Sequence, residues 1–96
     1  RVRTGTLLGS IGTTRYVTLG TNTYTTVLLS TGYTAMEVVN TGSNQCIYAF
    51  SSVAVGSGTV LFTQDHTPRW DNCEDAFATY WIAESASTTI AIHEYL

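Results

Sequence analysis

Four of the seven carboxylates in this chain, Asp65, Asp71, Glu74 and Asp75, fall within eleven residues, with His66, Arg69 and Trp70 between them. Acid-rich loops of this kind can hold calcium, which takes about six to eight oxygen ligands. The ligand spacing of an EF-hand is absent, however, and a solvated connection in which Arg69 pairs with an acid accounts for the same residues. Cys73, His66 and Asp65 are the residue types of a nucleophile, its base and an orienting acid. Nothing around Cys73 resembles a nucleophile elbow or a known cysteine-enzyme signature. Asp71 and Glu74 could stand at the separation of a glycosidase pair, but the sequence puts no cleft around them. The expectation is a protein that is not an enzyme, with no catalytic residues, no metal and no cofactor.

Cys46 and Cys73 are separated by 26 residues. A disulfide between them would close a loop and contribute about 3 kcal/mol, whereas two free thiols is the commoner state of a single pair. No C-x-x-C is present, and only His66 and His93 could assist a zinc site. Exposed aromatics are the remaining handle. Trp70, Trp81, Tyr33, Tyr48 and Tyr95 could stack on sugar rings or anchor a protein interface, where Trp, Tyr and Arg are enriched. In so small a chain, many large aromatics must also fill the core.

The elements that position these residues are strands. Eighteen of 96 residues are threonine, which is β-branched and favours extended backbone. From Arg15 onward, apolar alternation is interrupted by turn residues about every ten positions. The reading is strands at 15–19, 24–30, 34–40, 46–50, 59–63, 76–84 and 88–95, with a short one at Arg69-Trp70. Residues 53–58 form a Ser/Gly-rich connection. No window carries a sustained helical period, so no substantial helix is expected. The fold class is therefore all-β: an antiparallel sandwich of seven or eight strands, jelly-roll or Ig-like. Residues 15–96 make the single sandwich domain and residues 1–14 an extended N-terminal arm. In that arm Leu7, Leu8 and Ile11 sit among Gly5, Gly9 and Gly12 and need a neighbour to cover them. Core positions are expected at Val27, Leu29, Val38, Ile47, Leu61, Tyr80, Ile82, Ile90 and Ile92. The penultimate strand carries large aromatics on both faces, which predicts a second partner for it.

Composition excludes several classes. The net charge is −3 and the only basic residues are Arg1, Arg3, Arg15 and Arg69, with no lysine. That leaves no basic stripe for nucleic acid. Apolar runs are far too short for a membrane-spanning helix, and the opening Arg1-Val-Arg-Thr-Gly-Thr6 has no apolar core of the signal-peptide kind. Only 11% of residues are charged, against about 25% in typical domains. Such a surface repels neighbours weakly and suits life in an assembly.

Four stretches carry a resemblance: Val38-Val39-Asn40-Thr-Gly-Ser-Asn44, Ile47-Tyr48, Gly56-Ser-Gly-Thr59, and the closing run from Trp81-Ile-Ala-Glu-Ser-Ala-Ser-Thr-Thr to Tyr95. Together they resemble small virion-associated β-proteins of tailed bacteriophages, of the capsid decoration (cement) or head-fibre kind. The likeness spans residues 35–96 and rests on turn chemistry and strand patterning. The acidic segment 65–75 and the two cysteines depart from it. The resemblance implies a structural protein on the outer capsid surface of a virion, bound to the major capsid protein or another virion protein. It also implies a homo-oligomer, with a trimer favoured. Leu7, Leu8, Ile11, Trp70, Trp81 and Tyr95 are the residues expected at its interfaces. Two alternatives stand beside it: a carbohydrate- or receptor-binding module of a virion or secreted protein, and an extracellular fibre subunit.

Overall fold

A computed structural model describes residues 12–51 and 58–96. Its strands are β1 (Gly12–Leu19), β2 (Thr25–Leu28), β3 (Ala35–Asn40), β4 (Cys46–Ala49), β5 (Thr59–Leu61), β6 (Ala78–Ala83) and β7 (Thr88–Tyr95). Among the described residues there is no helix. Leu7, Leu8 and Ile11 lie outside the described residues, as does most of the Ser/Gly connection. The last three residues assigned to the arm, Gly12, Thr13 and Thr14, are strand, paired with Tyr95, Glu94 and His93.

The strands form two antiparallel sheets, β1-β7-β3 and β2-β6-β4-β5. Residues 64–73 run along the outer edge of β3 as a reduced eighth strand. Its bridges are Val39 to His66 and Met36 to Trp70, with Met36 N–H donating to Trp70 O at 2.9 Å and Trp70 N–H to Met36 O at 2.8 Å. The pairings are nested: β1 with β7, β2 with β6, β3 with the reduced strand, β4 with β5. A long ribbon folded over on itself gives this order, which is that of a jelly roll. An Ig-like sandwich would keep β1 and β2 in one sheet, and here they are in different ones. The same topology separates β6 from β7. They follow each other across a short turn, yet each lies in its own sheet, so the closing segment is a sheet-to-sheet corner and not a hairpin.

The two inner faces supply the core. Leu19, Met36, Val38, Ile90 and Ile92 from one sheet meet Val27, Cys46, Tyr48, Leu61, Trp81 and Ala83 from the other, with Leu29 from the connection after β2. Alternation places these side chains inward and sets the layer apart from its neighbours one residue along. Six of the nine expected core positions, Val27, Leu29, Val38, Leu61, Ile90 and Ile92, lie in this layer. In β6 the expected face is reversed: Thr79, Trp81 and Ala83 point inward, while Tyr80 and Ile82 point outward. Tyr80 is only half-buried. Ile82 and its cross-strand partner Ile47 are buried nonetheless, on the outer face.

One end of the sandwich is laced shut. Asn40, fully buried, donates through Nδ2 to Asn44 O and Leu61 O, and its Oδ1 accepts from Gly42 N–H and Thr88 Oγ1. Thr41 and Gly42 N–H both reach Thr89 O at 3.0 Å. A Cβ on Gly42 would stand 1.8 Å from Thr88 Oγ1, so the turn needs glycine for space. Ala83 N–H to Gly20 O and Glu84 N–H to Gln45 O complete the mesh. The opposite end is different, and the aromatic residues collect there.

Candidate functional site

β4 runs out at Phe50, and the reduced strand turns back toward β6 through Asp71, Asn72, Cys73 and Glu74. The turn is held by Cys73 N–H to Thr34 O at 2.8 Å and Phe77 N–H to Glu74 O at 3.1 Å. Asn72 and Ala76 adopt positive φ of 54° and 58° to make it. Between these segments opens a cleft of about 490 Å³ lined by Phe50, Arg69, Trp70, Asp71, Asn72, Cys73, Glu74 and Phe77.

Aromatic rings continue from this cleft into the core. Trp81 stacks on Tyr48 with centroids 4.8 Å apart. Tyr48 meets Trp70 edge-on at 5.8 Å, and Phe50 contacts Trp70 at 5.3 Å. Phe77 closes the group, 5.9 Å from Trp70 and 6.1 Å from Phe50. Edge-to-face and offset rings of this kind gain about 0.5–1.5 kcal/mol per pair beyond their burial. The column is dry at one end and wet at the other: Trp81 is 0% exposed and Phe50 55%. Polar groups sit beside the apolar walls. Arg69 Nε donates to Asp71 Oδ1 at 2.9 Å, and its guanidinium lies 4.2 Å over the Tyr95 ring. Asn72 and Glu74 are exposed.

The residues singled out from the sequence are thus divided. Trp70 lies in the cleft wall, half-buried. Tyr95 stands half-buried under Arg69. Trp81 is not a surface residue at all: it is sealed in the core, its indole N–H bonded to Thr79 Oγ1 at 2.7 Å. The acidic segment is also split, because residues 65–70 are extended along β3. Asp65 bonds the His66 backbone at the laced end, while Asp71, Glu74 and Asp75 belong to the cleft end. His66 and Cys73 do not meet. The imidazole contacts Thr67 O at 2.8 Å and Glu37 at 3.5 Å, and the thiol donates to Trp70 O at 3.4 Å. Among the described residues no group of three His, Cys, Asp or Glu side chains is placed to hold a metal. Sequence reasoning missed Phe50 and Phe77 because each reads as an isolated apolar residue at a strand end. Only the pairings bring them to Trp70.

Cys46 and Cys73 are free thiols. Cys46 faces inward from β4, and burial pushes its thiol up to about 12. Burial also raises Cys73, with the Asp71 charge adding to it. The thiolate is the reactive form, so both are expected to be sluggish near neutral pH, and unequally so. A thiol-specific reagent should label Cys73 slowly in the folded protein and Cys46 only on unfolding. Simultaneous rapid labelling of both would contradict this placement.

The chain matches no family model, no curated protein and no solved structure.

Proposed function

We propose that this chain is a structural virion protein, a decoration or cement protein that binds the outer surface of a capsid and stabilises it through protein–protein contacts. The observation that carries this reading is the aromatic cleft at the open end of the sandwich. Phe50, Trp70 and Phe77 form a ready-made anchor site beside Arg69, and aromatic residues and arginine dominate interface energetics. The jelly roll itself is an architecture of viral capsid and lectin domains, although fold alone does not decide function. The low charge and the likeness of residues 35–96 to phage virion proteins point the same way. On this reading the partner is the major capsid protein or another virion protein, and many modest contacts repeated over a shell act together through avidity.

The test is to mix the chain with capsids that carry its shell partner, pellet them, and compare Phe50→Ser and Trp70→Ala. Truncating an anchor aromatic costs about 2 kcal/mol or more at an interface, so about thirtyfold weaker attachment per site is expected. Variants that fold and stay fully bound would sink the reading of this cleft.

A second reading is favoured by one further feature of the same site. Asp71, Asn72 and Glu74 place acceptors and an amide beside three aromatic rings, the combination that holds a sugar by stacking and hydrogen bonding. Binding on a glycan array that is lost in Trp70→Ala, together with no affinity for capsids, would replace the shell reading with a carbohydrate-binding module, virion-borne or extracellular.

A further inference from the structure

A sheet edge presents a row of unpaired backbone N–H and C=O groups, and folded proteins generally shorten, cover or charge such edges. The two sheets here have four. β5 is three residues long and β2 is four. The outer edge of β3 is covered by residues 64–73, through Met36, Val38 and Asn40: Thr67 N–H donates to Val38 O, and Asn40 N–H to Asp65 O, both at 2.9 Å. The fourth edge, β1, is eight residues long, and among the described residues no backbone group pairs with its outer side. It carries no proline or lysine. Its one charge, Arg15, is turned onto Glu94 at 3.3 Å, which leaves no uncompensated charge to repel a neighbour. We infer that the outer edge of β1 pairs with β1 of a second copy of this chain about a twofold axis, joining the two three-stranded sheets into one.

The backbone directions fix which residues of β1 can pair outward. Met36, Val38 and Asn40 send their backbone groups to the reduced strand, so Ala35, Glu37 and Val39 face their partners Tyr95, His93 and Ala91 in β7. By alternation Ile90, Ile92 and Glu94 face Val17, Arg15 and Thr13 in β1. The backbone groups of Thr14, Tyr16 and Thr18 therefore point outward. An antiparallel pair closing these groups about a twofold places Tyr16 opposite its counterpart and Thr14 opposite Thr18 of the other copy. Tyr16 is 67% exposed, the most exposed large hydrophobic side chain in the described residues. Aromatic and Thr–Thr cross-strand pairs are among those that stabilise a sheet. The arrangement is isologous and closes on itself, giving a dimer with the strand order β3-β7-β1-β1-β7-β3.

This inference is independent of the shell reading and is tested without capsids. Sedimentation equilibrium should show a dimer whose dissociation Tyr16→Pro greatly promotes. Proline there removes an outward N–H and no bond to β7, a position an edge strand tolerates, so the thermal midpoint of the monomer should change little. Because a proline variant could misfold, a charge pair supplies a second arm. Thr14→Lys with Thr18→Lys puts like charges opposite each other across the twofold and should weaken the dimer about tenfold or more. Thr14→Lys with Thr18→Glu sets opposite charges face to face and should restore it. A wild-type chain that is monomeric at its solubility limit, a trimer, or a dimer indifferent to both charge combinations would overturn the proposal.

Discussion

Replacing Glu94 by alanine is expected to lower the unfolding free energy by about 3 kcal/mol or more, within the range for breaking a buried charged network by removing one partner. The carboxylate is 1% exposed and ties three separate segments together. It accepts Ser30 N–H at 2.7 Å and Ser30 Oγ at 2.9 Å from the connection after β2. From β1 it accepts Thr13 Oγ1 at 3.2 Å and two bonds from Arg15 at 3.3 Å. Arg15 reaches on to the Leu28 carbonyl as well. Alanine would leave these donors without an acceptor at the rim of the core. Glu94→Gln should cost less, because its amide oxygen can still accept from Ser30. Urea denaturation of the three proteins checks the order, and near-equal stabilities would show that the network contributes little.

The same site sets a pH dependence. Burial alone would raise the Glu94 pKa, but the hydrogen bonds from Ser30 and Arg15 outweigh it and hold the group below its ordinary value. A carboxylate depressed in the folded state binds fewer protons there than in the unfolded chain. Its contribution is complete above the unfolded value of about 4.3 and is lost as pH falls through and below it. Wild type should therefore lose stability as pH falls through and below about 4.3, and Glu94→Gln should lose that component of the slope. A Gln variant with an unchanged acid limb would assign the acid sensitivity to other groups.

Glu94 also marks where sequence reading stops. Alternation alone puts it on one face with Ile90 and Ile92, and that is where it lies. Its partners are 64 and 79 residues away, and nothing in a local pattern names them. The strands themselves were legible, since period-two alternation and turn residues are local signals, and every strand of the structure overlaps an expected one. The choice between jelly-roll and Ig-like order was not, because it depends on which distant strands pair. Likewise Trp70, Asp71 and Glu74 stood out by type, whereas Phe50 and Phe77 joined them only through the β4–β6 pairing and the turn before β6.

The reversed face of β6 has a physical cause that leads to the second large effect. Ala78, Tyr80 and Ile82 look like the apolar set, and the alternate set contains Thr79, a polar residue. Thr79 is inside because Trp81 needs it: a buried indole N–H requires an acceptor, and Thr79 Oγ1, two residues along on the same face, supplies one at 2.7 Å. Trp81→Ala is accordingly expected to cost about 3–5 kcal/mol, the range for deleting a large buried aromatic. Trp81→Phe keeps most of the ring volume and should cost less, the remaining loss coming from the Thr79 bond and the smaller ring. The consequence extends beyond stability. Tyr48 lies between Trp81 and Trp70, so Trp81 supports the cleft wall from behind without lining the cleft. In the milder Trp81→Phe protein the sole remaining tryptophan is Trp70, and its fluorescence reports directly on that wall. Emission shifted to the red of the Trp70 component in wild type, with weaker attachment, is expected if the column acts as one body. Unchanged Trp70 emission and attachment would show instead that the cleft is held by its own loop bonds, chiefly Cys73 to Thr34 and Phe77 to Glu74.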